Sequence, residues 1–397
     1  MATGIAKNIT IIGVKNEATE GTYAAPAAAT DYIQPLSDGF SLSPARETVD
    51  RKILTSSIGK ASPRAGMKSV QASLPVEFRA SGTEGGDPDF DRLMTTALGA
   101  RHQVTLHADV IAAGSSTTVI RLSDAHVAYF QVGDIVVIKE PGAHSTHAIT
   151  AIDTTPGAAT VTILPAAPGI PSNGTDISLS TTYYPANSGH TPLSLSYYWA
   201  NTIREAAIGC KVTSLSVENF TVGQIASFNF GLEGLSFTEV DGAAPHTPTY
   251  DTGIPPLILQ ACVYQDGVDI PLNSFSLTVD NSLGFITSTC SADGKISSRL
   301  TERGIKGTIN PYKDDTSVAQ FTRFNTNTPF TLAAFAYNPS AVAGEIDMGS
   351  VVGIYLPNCL ITSKKVADQD GILIDEIEFS ADRGTSGSNN EIFIGFV

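Results

Sequence analysis

The feature that most constrains the fold is an ordered set of short strings that occurs twice in the 397-residue chain. Strings that recur in the same order indicate two copies of one structural unit. We therefore predict two homologous units within one polypeptide. The matching pairs are FSLSP (40–44) with FSLTV (275–279), RAGMKS (64–69) with ERGIKG (302–307), FDRL (90–93) with FTRF (321–324), and TPLSLSYYWAN (191–201) with TPFTLAAFAYN (328–338).

The pattern around these strings is that of strands. Apolar residues alternate with polar ones, as at Val70, Ala72 and Leu74, which predicts half-buried β-strands. Thr, Ser, Val and Ile are abundant, and long stretches of helix-forming residues at helical spacing are missing. The predicted fold class is mainly β, with two homologous sandwich or barrel units that each contain one short helix, at 90–93 and 321–324.

The spacing between matched positions indicates an insertion in the first copy. It falls from 235 residues at Phe40 and Phe275 to 137 at Thr191 and Thr328, so the first copy contains about 98 extra residues. We assign most of them to a small inserted β domain at 102–187. It is expected to fold by itself, to decorate an outer surface and to be dispensable for assembly.

This reasoning divides the chain into five segments. They are an N-terminal arm (1–36), a discontinuous first unit (37–101 and 188–242), the insertion (102–187), a linker (243–257) and a second unit (258–397).

Charge and cysteine content exclude several function classes. The formal net charge is −15, with 24 basic and 39 acidic residues, which argues against a surface that holds nucleic acid through its phosphates. Cys210, Cys262, Cys290 and Cys359 form no CxxC pair, so we expect reduced thiols and synthesis in a cytoplasm. No apolar run approaches the roughly 18 residues of a membrane span, so no membrane partner is expected.

The motifs of catalysis and cofactor binding are weak. His144 and His147 could in principle hold a metal, but their setting, EPGAHSTHA, is typical of a turn with solvated histidines. GxSxG is absent, and the glycine-rich run at 81–87 lacks the Lys of a phosphate-binding loop. We assign no catalytic, cofactor-binding or metal-binding residue and expect no cofactor.

The acidic strand ILIDEIEFS at 372–380 allows two interpretations. Its carboxylates could hydrolyse a glycosidic bond. Alternation instead favours a structural strand with Glu376 and Glu378 on one face, directed to water or to a lumen, and Asp375 on the other. No Lys or Arg at cross-strand spacing is evident within the segment to neutralise the two glutamates.

Several longer segments resemble one known family. They are KNEATEGTYAAP (15–26), the loop, strand and helix region at 47–100, GLEGLSFTEVDGAAPHTPTYDTGIPPLIL (231–259) and GTSGSNNEIFIGFV (384–397). In order and combination they resemble the major tail tube proteins of long-tailed bacteriophages and prophages.

The resemblance implies β-sandwich or barrel domains that join six to a ring, with rings stacked into a hollow conduit for DNA ejection into the host. Two domains in one chain would imply three chains per ring, a pseudo-hexamer. It further implies location in the virion tail and contact with tape-measure, tail terminator and baseplate proteins. A negative lumen would repel DNA phosphates and let the genome pass without binding.

Two long polar loops, at 47–65 and 283–303, are expected to mediate the stacking of one ring on the next. The first contains or adjoins a basic cluster of Arg46, Arg51, Lys52, Lys60 and Arg64, which would meet acids of the adjacent ring.

Two other functions stay open. One is a surface adhesin that binds glycans through the aromatic residues Tyr183, Tyr184, Tyr197, Tyr198 and Trp199. The other is a β-rich hydrolase that uses Asp375 or Glu376. The favoured interpretation is a structural virion protein without enzymatic activity.

Overall fold

The computed structural model describes residues 6–54, 56, 58–106, 108, 110–259, 261–314, 317–384 and 389–397. Thr55 and Ser57 of the expected stacking loop lie outside the described residues, as do residues 385–388 of the segment that resembles a terminal strand.

The fold is mainly β, as predicted. The strands are β1 (Ile11–Asn16), β2 (Tyr32–Ile33), β3 (Ser41–Val49), β4 (Arg64–Glu77), β5 (Gly99–Val104), β6 (Val119–Arg121), β7 (Ile135–Ile138), β8 (Ser145–Asp153), β9 (Thr160–Leu164), β10 (Ser180–Pro185), β11 (Leu193–Trp199), β12 (Ile203–Thr221), β13 (Ser227–Gly234), β14 (Ser236–Asp241), β15 (Ala261–Gln265), β16 (Val268–Asp269), β17 (Leu272–Thr287), β18 (Lys295–Pro311), β19 (Phe330–Ala336), β20 (Val352–Gln369), β21 (Ile372–Ala381) and β22 (Phe393–Phe396). The helices are α1 (Asp91–Leu98), α2 (Asp124–Val127), α3 (Ser317–Thr326) and a 3₁₀ turn at Lys7–Ile9. Within the described ranges no helix is long and apolar enough to cross a bilayer.

One continuous antiparallel sheet runs through both units. Its eight strands follow the order β3, β4, β13, β12, β17, β18, β21, β20. One face is buried, with side chains such as Leu74, Phe230, Leu277 and Phe379 in the main core. The other face carries mostly polar side chains, which is the alternation expected of a sheet with one face in water.

A second layer covers the buried face of this sheet in each unit. The long strands β12 and β20 take part in both layers: their first halves pair with β11 and β14, and with β19 and β22, respectively. Each strand passes from one layer to the other at register shifts, next to Cys210 and next to Cys359. Strands that change sheets at bulges are a usual way to form the corner of a sandwich.

The two units pair their strands in the same order and with the same irregularities. Leu193 faces Cys210 and Leu195 faces Ala207, while Phe330 faces Cys359 and Leu332 faces Leu356. The shift is the same in both. The next register shift follows Val212 in the β12–β13 ladder and Ile361 in the β20–β21 ladder. Each residue of β12 therefore has an equivalent in β20 that lies 149 residues later in the sequence.

The hairpins β3–β4 and β17–β18 are also equivalent position by position. Leu42 faces Ala72 as Leu277 faces Gly307, and Arg46 faces Lys68 as Asn281 faces Arg303, a spacing of 235 residues throughout. The pairing of RAGMKS with ERGIKG assumed a spacing of 238 and is wrong by three residues. Short glycine-containing strings match by chance more easily than a hydrogen-bonded register does.

The N-terminal arm is integrated into the first unit. Its strand β1 pairs with β11 and with β2, just as β15 pairs with β19 and with β16 in the second unit. Each helix is tied to its own hairpin by an ion pair, Arg92 with Asp31 and Arg323 with Asp266, both at 2.5 Å. Residues 243–257 contain no helix or strand.

The insertion is connected to both units. Its small sheet has the strand order β6, β9, β8, β7 and a core of its own. At its base, β10 pairs with β5 and also with the last strand of the chain, β22.

One face of the insertion is packed against the second unit. Ile135, Val137 and Ala148 share a buried cluster with Phe335 and Phe393. This packing changes the expectation that the insertion is a dispensable decoration, because its removal would expose that cluster to water.

Candidate assembly interface

The joint between the two units is a strand pair inside the sheet. β12 of the first unit pairs antiparallel with β17 of the second, with Leu215 facing Val279 and Val217 facing Leu277. These side chains belong to the main core, and the T-shaped contact of Phe220 with Phe275, 5.4 Å between ring centroids, closes the joint. The chain therefore contains one complete unit-to-unit contact.

The two strands at the outer edges of the eight-stranded sheet, β3 and β20, are equivalent to the two strands of that joint. β20 is equivalent to β12, and β3 is equivalent to β17. Among the described strands, β3 pairs only with β4, and the second half of β20 pairs only with β21. Both edges thus present unpaired backbone groups, which edge strands normally protect or pair with another chain.

The polar face of the sheet carries the two acids that the sequence singled out. Glu376 is half-buried and Glu378 is exposed, and both lie on this face together with Glu218 and Asp280. The segment 372–380 itself contains no basic residue, but the neighbouring strand brings one opposite them. Lys365 of β20 faces Glu376 across the ladder, and its Nζ lies 3.7 Å from Glu378. The signal was in a different strand, so the segment alone did not contain it.

Asp375 points to the other face and is fully buried. Its carboxylate oxygens lie 2.6 Å from Lys364 Nζ and 3.2 Å from Lys313 Nζ. Burial acts to raise the pKa of Asp375, but the bonds from Lys364, Ser317 and Lys313 outweigh it and hold the pKa below its ordinary value. A carboxylate enclosed by two ammonium groups inside the core is not placed to reach a substrate.

The hairpin of the second unit, which was expected to stack rings, is largely strand and lies against the first unit. Asp293 at its turn accepts an ion pair from Lys68 at 2.9 Å and a hydrogen bond from Ser236 at 2.7 Å. Ser298 donates its N–H and its hydroxyl to Glu20, at 2.7 and 2.6 Å. This loop is therefore occupied within its own chain.

The hairpin of the first unit has no such support. Arg51, Lys52 and Lys60, between β3 and β4, and Arg64, the first residue of β4, are exposed, and none forms an ion pair within the part of the chain that the structure describes. Arg46, the fifth basic residue of the expected cluster, lies in β3 and donates to the Gly66 carbonyl at 3.4 Å. The structure thus places two of the five in the strands of the hairpin and three in the connection between them.

The residues of the alternative functions are mostly in cores. Tyr183, Tyr197 and Tyr198 are buried, so they form no exposed aromatic platform for a sugar. His147 is also buried, bonded to Ser145 and to the Pro165 carbonyl. Burial lowers the pKa of His147 to about 4. Over the described ranges, His, Cys, Asp and Glu side chains form no group of three or more that could hold a metal ion.

Comparison with family models agrees with this geometry. A model described as phage tail tube protein matches residues 7–381, nearly the whole chain. The chain belongs to this family. It is therefore a structural component of a phage tail, and the family assignment supports a non-enzymatic role. Comparison with curated proteins finds no match.

Two repeated strings, at the layer change of the long strands and at the hairpin turns, escaped the sequence comparison. CKVTS at 210–214 returns as CLITS at 359–363, at the point where β12 and β20 change layers. GKASPR at 59–64 returns as GKISSR at 294–299, at the turns of the two long hairpins. Both would be found by aligning the copies at one fixed spacing per segment instead of searching for similar strings.

Proposed function

We propose that three chains close into a ring through the free edges of the sheet, with β20 of one chain paired to β3 of the next. The observation that carries this proposal is the joint of β12 with β17, which already pairs the counterparts of these two strands. Six units from three chains would then form one closed inner sheet. Closure removes both exposed edges, which is the physical gain from ring formation.

Strand equivalence gives the register of the proposed contact. Because Val217 faces Leu277 within the chain, Val366 should face Leu42 of the next chain. Lys364 would in the same way face Pro44 of the next chain. Because proline has no backbone N–H, the ladder would lack one hydrogen-bond donor at this position. Residues 363–366 and 42–45 are the core of the contact.

We further propose that the polar face of the closed sheet lines the conduit. The second layer covers the opposite, apolar face, which leaves the polar face for the lumen. Glu376 and Glu378 would then contribute to a negative wall past which DNA moves without being held.

In this proposal the chain is a duplicated tube subunit of a long, siphophage-type tail, made in the host cytoplasm. Its rings stack into the conduit for genome ejection. Partners at the two ends and inside the tube would be the terminator, baseplate and tape-measure proteins. The exposed Arg51 and Lys52 are proposed to contact acids of the adjacent ring.

Imaging of tubes assembled from the purified chain tests the ring. We expect threefold rotational symmetry and a ring mass of three chains. Six chains per ring would contradict the proposal that each chain supplies two units.

Cross-linking tests the edge contact separately. Val366→Cys combined with Leu42→Cys, in a Cys290→Ser background, should give covalent dimers and trimers in tubes but not in dilute monomer. The matched pair Val217→Cys with Leu277→Cys should cross-link only within one chain. Tubes without cross-links between the first pair would show that another surface closes the ring.

A further inference from the structure

We propose that the exposed end of the first hairpin, residues 58–64, docks into a cavity on the second unit of the neighbouring chain in the same ring. The occupant is thus a second copy of this chain. The inference rests on the proposed ring and adds a specific contact to it, separate from the edge strands.

The second hairpin provides the template for this contact. Its turn is seated on β4 and β13 of the first unit, where Asp293 binds Lys68 and Lys295 Nζ lies 3.9 Å from Glu233. Gly294 adopts a left-handed conformation with φ +81°, and a Cβ at this position would lie 2.5 Å from Met67 Cγ. The backbone of the turn therefore lies directly on Met67.

The first hairpin has nearly the same turn sequence, but Lys60 and Arg64 form no ion pair within the part of the chain that the structure describes. At a spacing of 235 residues, Gly59, Lys60 and Arg64 are the counterparts of Gly294, Lys295 and Arg299. The first turn also exposes large apolar side chains, with Leu54 and Ile58 fully in water. A second chain packed on this turn would remove the apolar surface of both side chains from water.

The corresponding seat is an open cavity of about 700 Å³, formed by the second unit together with Ala186, Asn187 and His190. Glu302, Arg303 and Ala381, which line it, are the counterparts of Met67, Lys68 and Gly234 beneath the docked turn. Two buried polar atoms at this cavity, Arg303 Nε and Glu391 Oε2, have no hydrogen-bond partner among the described residues. The cavity thus lies where strand equivalence places the missing turn.

The lining of the cavity is mixed in charge, with Glu302, Asp382 and Glu391 beside Arg303 and Arg383. Its three acids would pair with the exposed Lys60 and Arg64 of the first hairpin. The edge contact fixes which chain is involved. Within one chain, the second unit pairs its β17 with β12 of the first unit, and it also docks its hairpin on that first unit. The unit that supplies β3 to a neighbour's β20 would therefore place its hairpin on that same neighbour.

Site-directed cross-linking tests the contact in assembled tubes of the full chain. The variant combines Lys60→Cys with Glu302→Cys in a Cys290→Ser background and is treated with a short bismaleimide. We expect a ladder of dimers and trimers on a denaturing gel that stops at the trimer, because three chains close one ring. Lys295→Cys with Met67→Cys is the matched control and should cross-link within single chains only.

The outcomes separate this contact from the ring itself. A ladder that continues beyond the trimer would assign the turn to the next ring and overturn the proposal. Tubes that form normally and give no cross-links, while the Val366 and Leu42 cysteines do, would overturn it and leave the proposed ring intact. If the unmodified chain forms no rings or tubes, both proposals fail. Either single-cysteine variant alone should give no ladder.

Discussion

The two units share one pattern of strand pairing but differ in what covers their helices. Phe90, just before α1, is 1% exposed, whereas Phe321, the matched residue of α3, is 54% exposed. Over α1 lie β10 and β22, which bring Phe396 to 5.7 Å from Phe90, measured between ring centroids. Nothing equivalent to β5 and β10 follows α3, since the chain continues directly to β19. The burial of a helix is therefore set by its neighbours and not by its own sequence pattern.

The cores of the two units also differ at equivalent positions. The first unit places Phe228 and Leu215 where the second has Asp375 and Lys364. All four side chains are largely or fully buried. The same strand geometry thus holds an apolar pair in one unit and an ion pair in the other, so the fold does not require the charges.

The largest change in stability is expected at Phe90, beside the covered helix α1. Phe90→Ala should lower the free energy of unfolding of the isolated chain by about 3–5 kcal/mol, since it leaves a cavity among Phe228, Phe230 and Phe396. Phe321→Ala, the matched control, should change it by less than about 1 kcal/mol because that ring is already half in water. Urea unfolding of both variants measures the difference, and equal losses would mean that the exposed helix is covered in the monomer.

The next effect concerns the buried ion pair. Asp375→Ala leaves Lys364 buried without its partner and should cost about 3 kcal/mol of unfolding free energy. The double change Asp375→Phe with Lys364→Leu copies the first unit and should restore stability to within about 1 kcal/mol of the parent chain. The same unfolding measurement applies. Failure of the double variant to recover would show that Lys313 also needs the carboxylate.

A pH dependence should distinguish the first unit from the second. Burial raises the pKa of Asp89 to about 6, although Arg79 lies 2.8 Å away and favours the charged form. An unfolded Asp titrates near pH 4, so between about pH 4 and 6 the unfolded chain releases a proton that the folded chain keeps. Stability from this group therefore falls as pH rises, by about 2 kcal/mol over that window.

Asp89→Asn should remove this part of the slope, because the neutral amide replaces the protonated acid and does not titrate. Gln320, the matched residue within α3, is uncharged and bonded to Gln265. Gln320→Asn is the control and should keep the parent slope. An unchanged slope in Asp89→Asn would assign the pH dependence to other buried acids.

The smallest expected effect on stability is at the polar face. Glu376→Lys with Glu378→Lys should change the free energy of unfolding by less than about 1 kcal/mol, because exposed charges contribute little. In virions the same change should slow DNA ejection if this face lines the conduit. The first unit has Asn229 and Gly231 at these positions, so Asn229→Lys is a milder control. Normal ejection by the double variant at both low and moderate salt would show that these acids do not line the lumen.

The class of the fold and its main elements follow from the amino-acid pattern alone. Alternation of apolar and polar residues found the long hairpins, and the strings at 40–44 and 275–279 match at the spacing that strand pairing requires. It also placed Glu376 and Glu378 on one face of β21. These features are local, because a strand's two faces follow from the two-residue period of its backbone.

The partners of these residues are set by the packing of distant segments and could not be read from the local pattern. Lys365 lies across the ladder from Glu376, Lys313 reaches Asp375 from the end of another hairpin, and β22 returns from the end of the chain to cover α1. Such contacts join residues that are close in space and distant in sequence, so no local period predicts them. The two long hairpins show the same dependence on distant contacts. Their turns have nearly the same sequence, but only the second hairpin has another unit of the same chain within reach.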